Sequence, residues 1–204
     1  MIHTISLDPG KHGQAVAAFA DGLLGGVWDT AKAAPVWGFL SAAQVDLVIE
    51  KPQYDKRSPG KVEDVIDMCA AGFLYAGTIH EAVRPNSGKV RVFTPRPREW
   101  KHSQEKPLHH RRALACLDPH EYAIVNDFWQ TSGRRTLGIA EYVARACVAN
   151  AARKTKRLVG YSDPIHNILD ALALGLTHLG RMSKEQTFKR TRRTFTPKRS
   201  IRDL

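Results

Sequence analysis

The chain has 204 residues, 43% of them apolar and 25% charged, with a formal net charge of +11. That length suits one domain with room for a substantial core, and the composition is ordinary for a soluble globular protein. No run approaches the ~18 apolar residues of a membrane-spanning helix. The charge is concentrated. Residues 84–112 carry nine Lys/Arg against Glu99 and Glu105, and residues 181–204 carry nine against Glu185 and Asp203, which leaves the remainder at net −3. Two basic segments on a slightly acidic body point to a polyanion partner, most simply a nucleic acid; a solvated basic face without a partner is the bland alternative. Cys69, Cys116 and Cys147 form no CxxC pair and lie in apolar, helix-like surroundings. They read as buried reduced thiols. With no secretory pattern at the N-terminus, the expectation is a cytoplasmic protein.

MIHTISLDPG opens the chain with a strand over residues 2–7 that stops at Asp8, because Pro9 and Gly10 favour a turn. GQAVAAFA is a second strand hairpinned to it, and LLGGVWD after Asp21-Gly22 is a third. Residues 31–43, interrupted by Pro35, read as a short helix or a loop. VDLVIEK is a buried-type fourth strand ending on Glu50, with Pro52 blocking continuation. After the basic KRSPGK loop, residues 62–83 have helical spacing, with Val62, Val65, Ile66, Cys69, Phe73, Leu74 and Ile79 as the core face. KVRVFTP is a fifth strand. Residues 108–117 form a helix that opens on a basic doublet, and Asp118-Pro119 breaks it. A short helix over 121–130 and an amphipathic one over 136–154 follow. The last helix spans 162–180, with Ser162 or Asp163 as cap and Pro164 in its first turn. One domain over 1–182 and a flexible basic tail over 183–204 complete the plan.

Asp8 and Glu50 end strands, and Asp170 stands in the apolar run LDALALGL. Were the first and fourth strands neighbours, both acids would lie at one sheet edge, and a helix across that edge would add the third. Packed acids repel, so a divalent cation is the natural stabiliser; hard oxygen ligands favour Mg²⁺, and a histidine tilts the site toward Mn²⁺. His166 and Asn167 lie one turn before Asp170 and either could be a fourth ligand. The bland reading makes Asp8 a turn former and Glu50 a solvated strand end.

ISLDPGKHGQAV, VDLVIEKPQ, VRVFTPRPREWK, EKPLHHRRALACL and HNILDALALGL, in this order, resemble the RuvC-like Holliday junction resolvases of the RNase H-like superfamily, in its phage-borne branch. Residues 119–160 and the tail lie outside the resemblance. It implies an α/β RNase H-like fold: a five-stranded mixed sheet, three strands antiparallel and the rest parallel, flanked by helices. It further implies a homodimer, encoded by a bacteriophage, that cuts four-way DNA junctions with two Mg²⁺ or Mn²⁺ ions roughly 4 Å apart in each active site. By position, Asp8, Glu50 and Asp170 match the metal-binding carboxylates, and Lys106 a basic residue near the scissile phosphate. Where the family carries Asp or His three residues before the final Asp, this chain has Asn167, with His166 one further back. Tyr54 lies near the offset of an aromatic that wedges into the junction in bacterial members. Lys101, Lys106, His109, Arg111 and Arg112, with Arg190, Arg192 and Arg193 of the tail, are the expected DNA contacts.

Competing readings are weaker. His109, His110 and Cys116 lack a second pair at zinc-finger spacing, so phosphate contact or plain helix surface is the better reading of the histidines. Trp28, Trp37, Trp100 and Trp129 read as packing residues. No GxxxxGK[ST] occurs, which argues against a nucleotide cofactor held by a P-loop. An actin-like kinase would need a second large domain. A nuclease for RNA–DNA hybrids, and a non-catalytic DNA binder on the same fold, stay open.

Overall fold

The computed structural model describes residues 2–10, 13–29, 44–52, 62–83, 89–101, 105–132, 136–151 and 165–182. The expected helix or loop over 31–43, Trp37, Tyr54, the KRSPGK loop, the cap at Ser162 or Asp163 with Pro164, and the tail with Arg190, Arg192 and Arg193 lie outside them.

Five strands, β1 (Ile2–Gly10), β2 (Gly13–Ala20), β3 (Leu23–Asp29), β4 (Gln44–Ile49) and β5 (Lys89–Phe93), form one sheet in the order β3-β2-β1-β4-β5. β1, β2 and β3 pair antiparallel, whereas β4 runs parallel to β1 and β5 parallel to β4. Order and direction are those of the RNase H-like fold.

β1 is longer than its sequence suggests. Pro9 and Gly10 stay in the ladder, opposite Gln14 and Gly13, instead of turning the chain. On the β4 side the ladder ends with the Glu50 N–H bond to Leu7, just where Pro9 has no N–H to continue it.

Alternation along the strands divides the core in two. Ile5, Leu7, Val45, Leu47 and Ile49 face α1 (Val62–Val83), against Tyr75, Ala76 and Ile79. Ser6 and Val48, on the other face, meet α6 (Ile165–His178), a helix buried over most of its length. α3 (Lys106–Ala115), α4 (Pro119–Thr131) and α5 (Ile139–Ala151) complete that layer.

Two readings need correction. Val62, Ile66, Phe73 and Leu74, expected in the core, are 52–76% exposed. α1 instead packs through the side bearing Val65, Met68, Cys69, Gly72, Tyr75, Ala76 and Ile79, where a Cβ on Gly72 would already touch Pro9 and Ile49 at 3.4–3.5 Å. Both faces of the helix are apolar, so spacing alone mixed them: Val65, Cys69 and Ile79 lie on the packed side, and the other four do not. Cys69, Cys116 and Cys147 are free thiols but half-buried, not buried. Asp118-Pro119 does more than break a helix. Asp118 accepts from the Glu121 N–H at 2.8 Å and caps α4, with Pro119 in its first turn. No helix among the described residues is long and apolar enough to cross a membrane.

Candidate active site

Strand register decides where the acids go. Because Leu7 and Ile49 are partners and face α1, the next residues, Asp8 and Glu50, share the opposite face at the ends of adjacent parallel strands. The Glu50 N–H still bonds the Leu7 carbonyl at 3.0 Å, extending the ladder to that point. α6 crosses the same face with Asp170 at the Glu50 end and His178 at the Asp46 end, where His178 Nε2 lies 3.2 Å from an Asp46 oxygen. Eight helical residues rise about 12 Å and four strand residues about 13 Å, so the two spans match. Ser6 pins the crossing by donating its hydroxyl to the Ala171 carbonyl at 2.7 Å.

Asp8 is half-buried, while Glu50 and Asp170 are 7% and 1% exposed. Two lysines stand among them. Lys101 Nζ is 3.0 and 3.2 Å from the Glu50 oxygens and 3.3 Å from Asp170 Oδ2, and Lys106 Nζ is 2.8 Å from that same Asp170 oxygen. His110 Nε2 approaches the other oxygen of Asp170 at 2.9 Å.

The short helix α2 (Pro97–Trp100), absent from the sequence reading, delivers Lys101. The Arg96 N–H donates to Glu99 at 2.8 Å, and Lys101 closes the turn onto the Pro97 carbonyl. The Trp100 ring then backs the ammonium at 4.5 Å, a cation–π contact.

The electrostatics separate the acids. Burial, then the neighbouring Asp170 and Glu50 charges, push the Asp8 carboxyl well above its usual range, against the pull of both lysines. Burial would also raise Asp170, but the His110 hydrogen bond and the Lys106 and Lys101 charges outweigh it and hold Asp170 far below the ordinary carboxylate range. Asp170 is therefore ionised and accepts only, so His110 donates through Nε2–H. Burial opposes the charge on Lys101, yet Asp170, Glu50 and Asp8 keep it protonated.

Of the residues singled out by sequence, Asp8, Glu50, Asp170, Lys101 and Lys106 come together. His166 is buried with Nε2 3.2 Å from the Tyr142 hydroxyl and its ring beside that of His110, and Asn167 is half-buried. Arg111 is exposed and Arg112 half-buried. His109 is a correction to the expected DNA contacts. It is 2% exposed, packs against Trp100, and burial holds its pKa down to about 3, so it is a neutral interior residue. His110 is likewise neither surface nor phosphate contact but the partner of Asp170. Its spacing carried the signal: His110 shares a helix face with Pro107, Ala113 and Leu114, all buried. The adjoining Arg111-Arg112 doublet made the whole segment look like a solvent-facing basic surface.

Three carboxylates and no thiolate are a hard-oxygen set, chemically suited to Mg²⁺ or Mn²⁺. Among the described residues no three His, Cys, Asp or Glu side chains converge as a ready-made metal cage. The lysine ammoniums balance the carboxylates instead.

No family model matches the sequence, and no curated protein matches it significantly. The fold is similar to solved structures of Thermus thermophilus RuvC. One, in complex with a Holliday junction substrate, is 17% identical over 93% of this chain and 96% of that one, with a TM-score of 0.32. Another, of RuvC itself, is 15% identical over the same shares, with a TM-score of 0.28.

Proposed function

We propose that this protein is a divalent-metal-dependent endonuclease that cuts branched DNA, with four-way junctions as its first substrate. The observation that carries the reading is the gathering of Asp8, Glu50 and Asp170, from β1, β4 and α6, around two lysines at one end of the sheet. Buried acids packed around two lysines are expensive to keep for structure alone. The choice of a junction rests on the sequence resemblance to RuvC-like resolvases.

In this reading Asp8, Glu50 and Asp170 hold the Mg²⁺ or Mn²⁺, with His166 or Asn167 as a further ligand. Bound there, divalent ions activate water toward a phosphodiester and offset charge on the leaving oxygen. The chain supplies the rest. His110 fixes the Asp170 carboxylate, Lys106 presents an ammonium to the phosphate beside the site, and Arg111 with Arg112 binds flanking backbone. The exposed apolar stripe of α1, bearing Val62, Ile66, Phe73 and Leu74, is the contact between two copies of the chain. Such a homodimer would make paired cuts on opposing strands.

The test offers the purified protein a four-way junction, a linear duplex and an RNA–DNA hybrid side by side, with Mg²⁺ or Mn²⁺. Preferential cutting of the junction is expected, and Asp8→Asn or Asp170→Asn should abolish it while junction binding survives. Wild-type cutting by either variant refutes the site. Preference for the hybrid moves the substrate to RNA–DNA, and binding without cutting by the unaltered protein makes it a DNA binder on a nuclease fold.

A further inference from the structure

Among the described residues, Lys101 is the cation that touches both Glu50 and Asp170, which come from different layers of the fold. Its Nζ lies 3.0 Å from Glu50 Oε2 and 3.3 Å from Asp170 Oδ2. Lys106 reaches Asp170 separately, from the first turn of α3. Lys101 is also held from behind, by the Trp100 ring at 4.5 Å and by the turn that Glu99 closes. An ammonium anchored this way between two carboxylates stands where a divalent cation binding to both would have to stand.

We infer that Lys101 is an internal counter-ion that competes with the divalent metal for Glu50 and Asp170, so that the nucleic-acid-free protein holds the metal weakly and the ammonium must withdraw before it binds tightly. The inference rests on the metal-site reading above and deepens it. In that arrangement Lys101 is a positioning residue. It keeps the acids folded together without metal, and its side chain, 26% exposed, can leave toward solvent. Removing the charge should therefore strengthen metal binding, an outcome that a purely structural lysine would not produce.

The experiment is a calorimetric titration of Mn²⁺ alone into the full-length chain without nucleic acid, comparing wild type, Lys101→Met and Lys101→Arg. Methionine keeps much of the stem volume and loses the charge, and arginine keeps the charge. Lys101→Met should bind Mn²⁺ about tenfold or more tighter than wild type, since a unit charge at contact distance has been removed. Lys101→Arg should stay close to wild type. Thermal melting gives the second readout. Lys101→Met should melt lower than wild type in chelator, where its acids are without a counter-ion, and gain more from added Mn²⁺. Equal affinities for wild type and Lys101→Met, with binding abolished in Glu50→Gln, overturn the competition while leaving the metal site standing. No Mn²⁺ binding by either protein overturns both.

Discussion

His110 and Lys106 hold opposite oxygens of Asp170, and the histidine does so from a fully buried position. Partners of this kind set the orientation of a metal-binding carboxylate, and removing one commonly costs about 10–100-fold in activity. On the proposed function, His110→Ala should therefore slow Mg²⁺-dependent junction cleavage by about that factor while leaving junction affinity nearly unchanged, measured by single-turnover cleavage and by gel shift. An unaltered rate would mean that the lysines alone position Asp170. A second residue-scale test lies far from the acids. Arg181 forms a two-armed pair with Glu121, its guanidinium nitrogens 2.5 and 2.6 Å from the carboxylate oxygens, and also reaches the Gly22 and Cys116 carbonyls. Burial alone would raise the Glu121 carboxyl, but the Arg181 hydrogen bonds and the Leu24 and Asp118 N–H groups pull it down from 4.5 to about 2. A depressed carboxylate adds stability that is fully present above its unfolded pKa and lost as pH falls through the folded one. Glu121→Gln should thus cost about 2 kcal/mol at neutral pH, discounted for the partly exposed arginine. In urea denaturation the gap from wild type should narrow between pH 4.5 and about 2. A gap independent of pH would refute the ionic origin.

At the scale of elements, the helix that carries Asp170 is also the one most tightly fitted to the sheet. A Cβ built on Gly175 would clash with the edge of the Phe19 ring and fall 2.7 Å from Ser6 Oγ, both buried. Gly175→Ala should therefore destabilise the fold by about 1–3 kcal/mol through overpacking, although alanine favours helices, with the loss read from urea midpoints. Stabilisation would show that α6 can lift off the sheet at no cost. α1 offers the complementary test, on its exposed face. Phe73→Glu with Leu74→Glu should convert the proposed dimer to monomers in sedimentation equilibrium while leaving the melting of each chain in place; a wild-type mass would remove this stripe from the proposed contact. The elements differed in how plainly the sequence announced them. VDLVIEK and LDALALGL could be placed because their apolar runs set off Glu50 at the end of one and Asp170 inside the other, although Asp46 also stands in the first. α1 could not be oriented because Val65 and Ile66 are equally apolar, and the small residues Gly72 and Ala76 that mark its packed side carry no weight in a hydrophobicity pattern. Lys101 was read only as a DNA contact, since nothing in its basic neighbourhood shows that a four-residue helix turns it inward onto Glu50.

For the whole molecule, Arg181 decides where a truncation of the basic C-terminal segment can begin. The C-terminal segment that reads as one basic block in sequence contains Arg181, which belongs to the fold through Glu121. A truncation that removes it would confound DNA binding with unfolding. Residues 183–204 alone carry eight Lys/Arg against Glu185 and Asp203. Basic residues that neutralise phosphates release counter-ions, and on duplex DNA each phosphate neutralised adds roughly 0.9 to the slope of log affinity against log salt. Deleting residues 183–204 should therefore weaken junction and duplex binding together, and flatten the salt slope by several units at ~0.9 each, because phosphate neutralisation by lysines and arginines does not distinguish a branch from a duplex. Thermal melting should not change, since Arg181 is retained. Anisotropy titrations across a range of salt concentrations measure both affinity and slope. An unchanged slope would assign the phosphate contacts to Lys106, Arg111 and Arg112. A selective loss of junction over duplex would instead give the tail a part in recognising the branch.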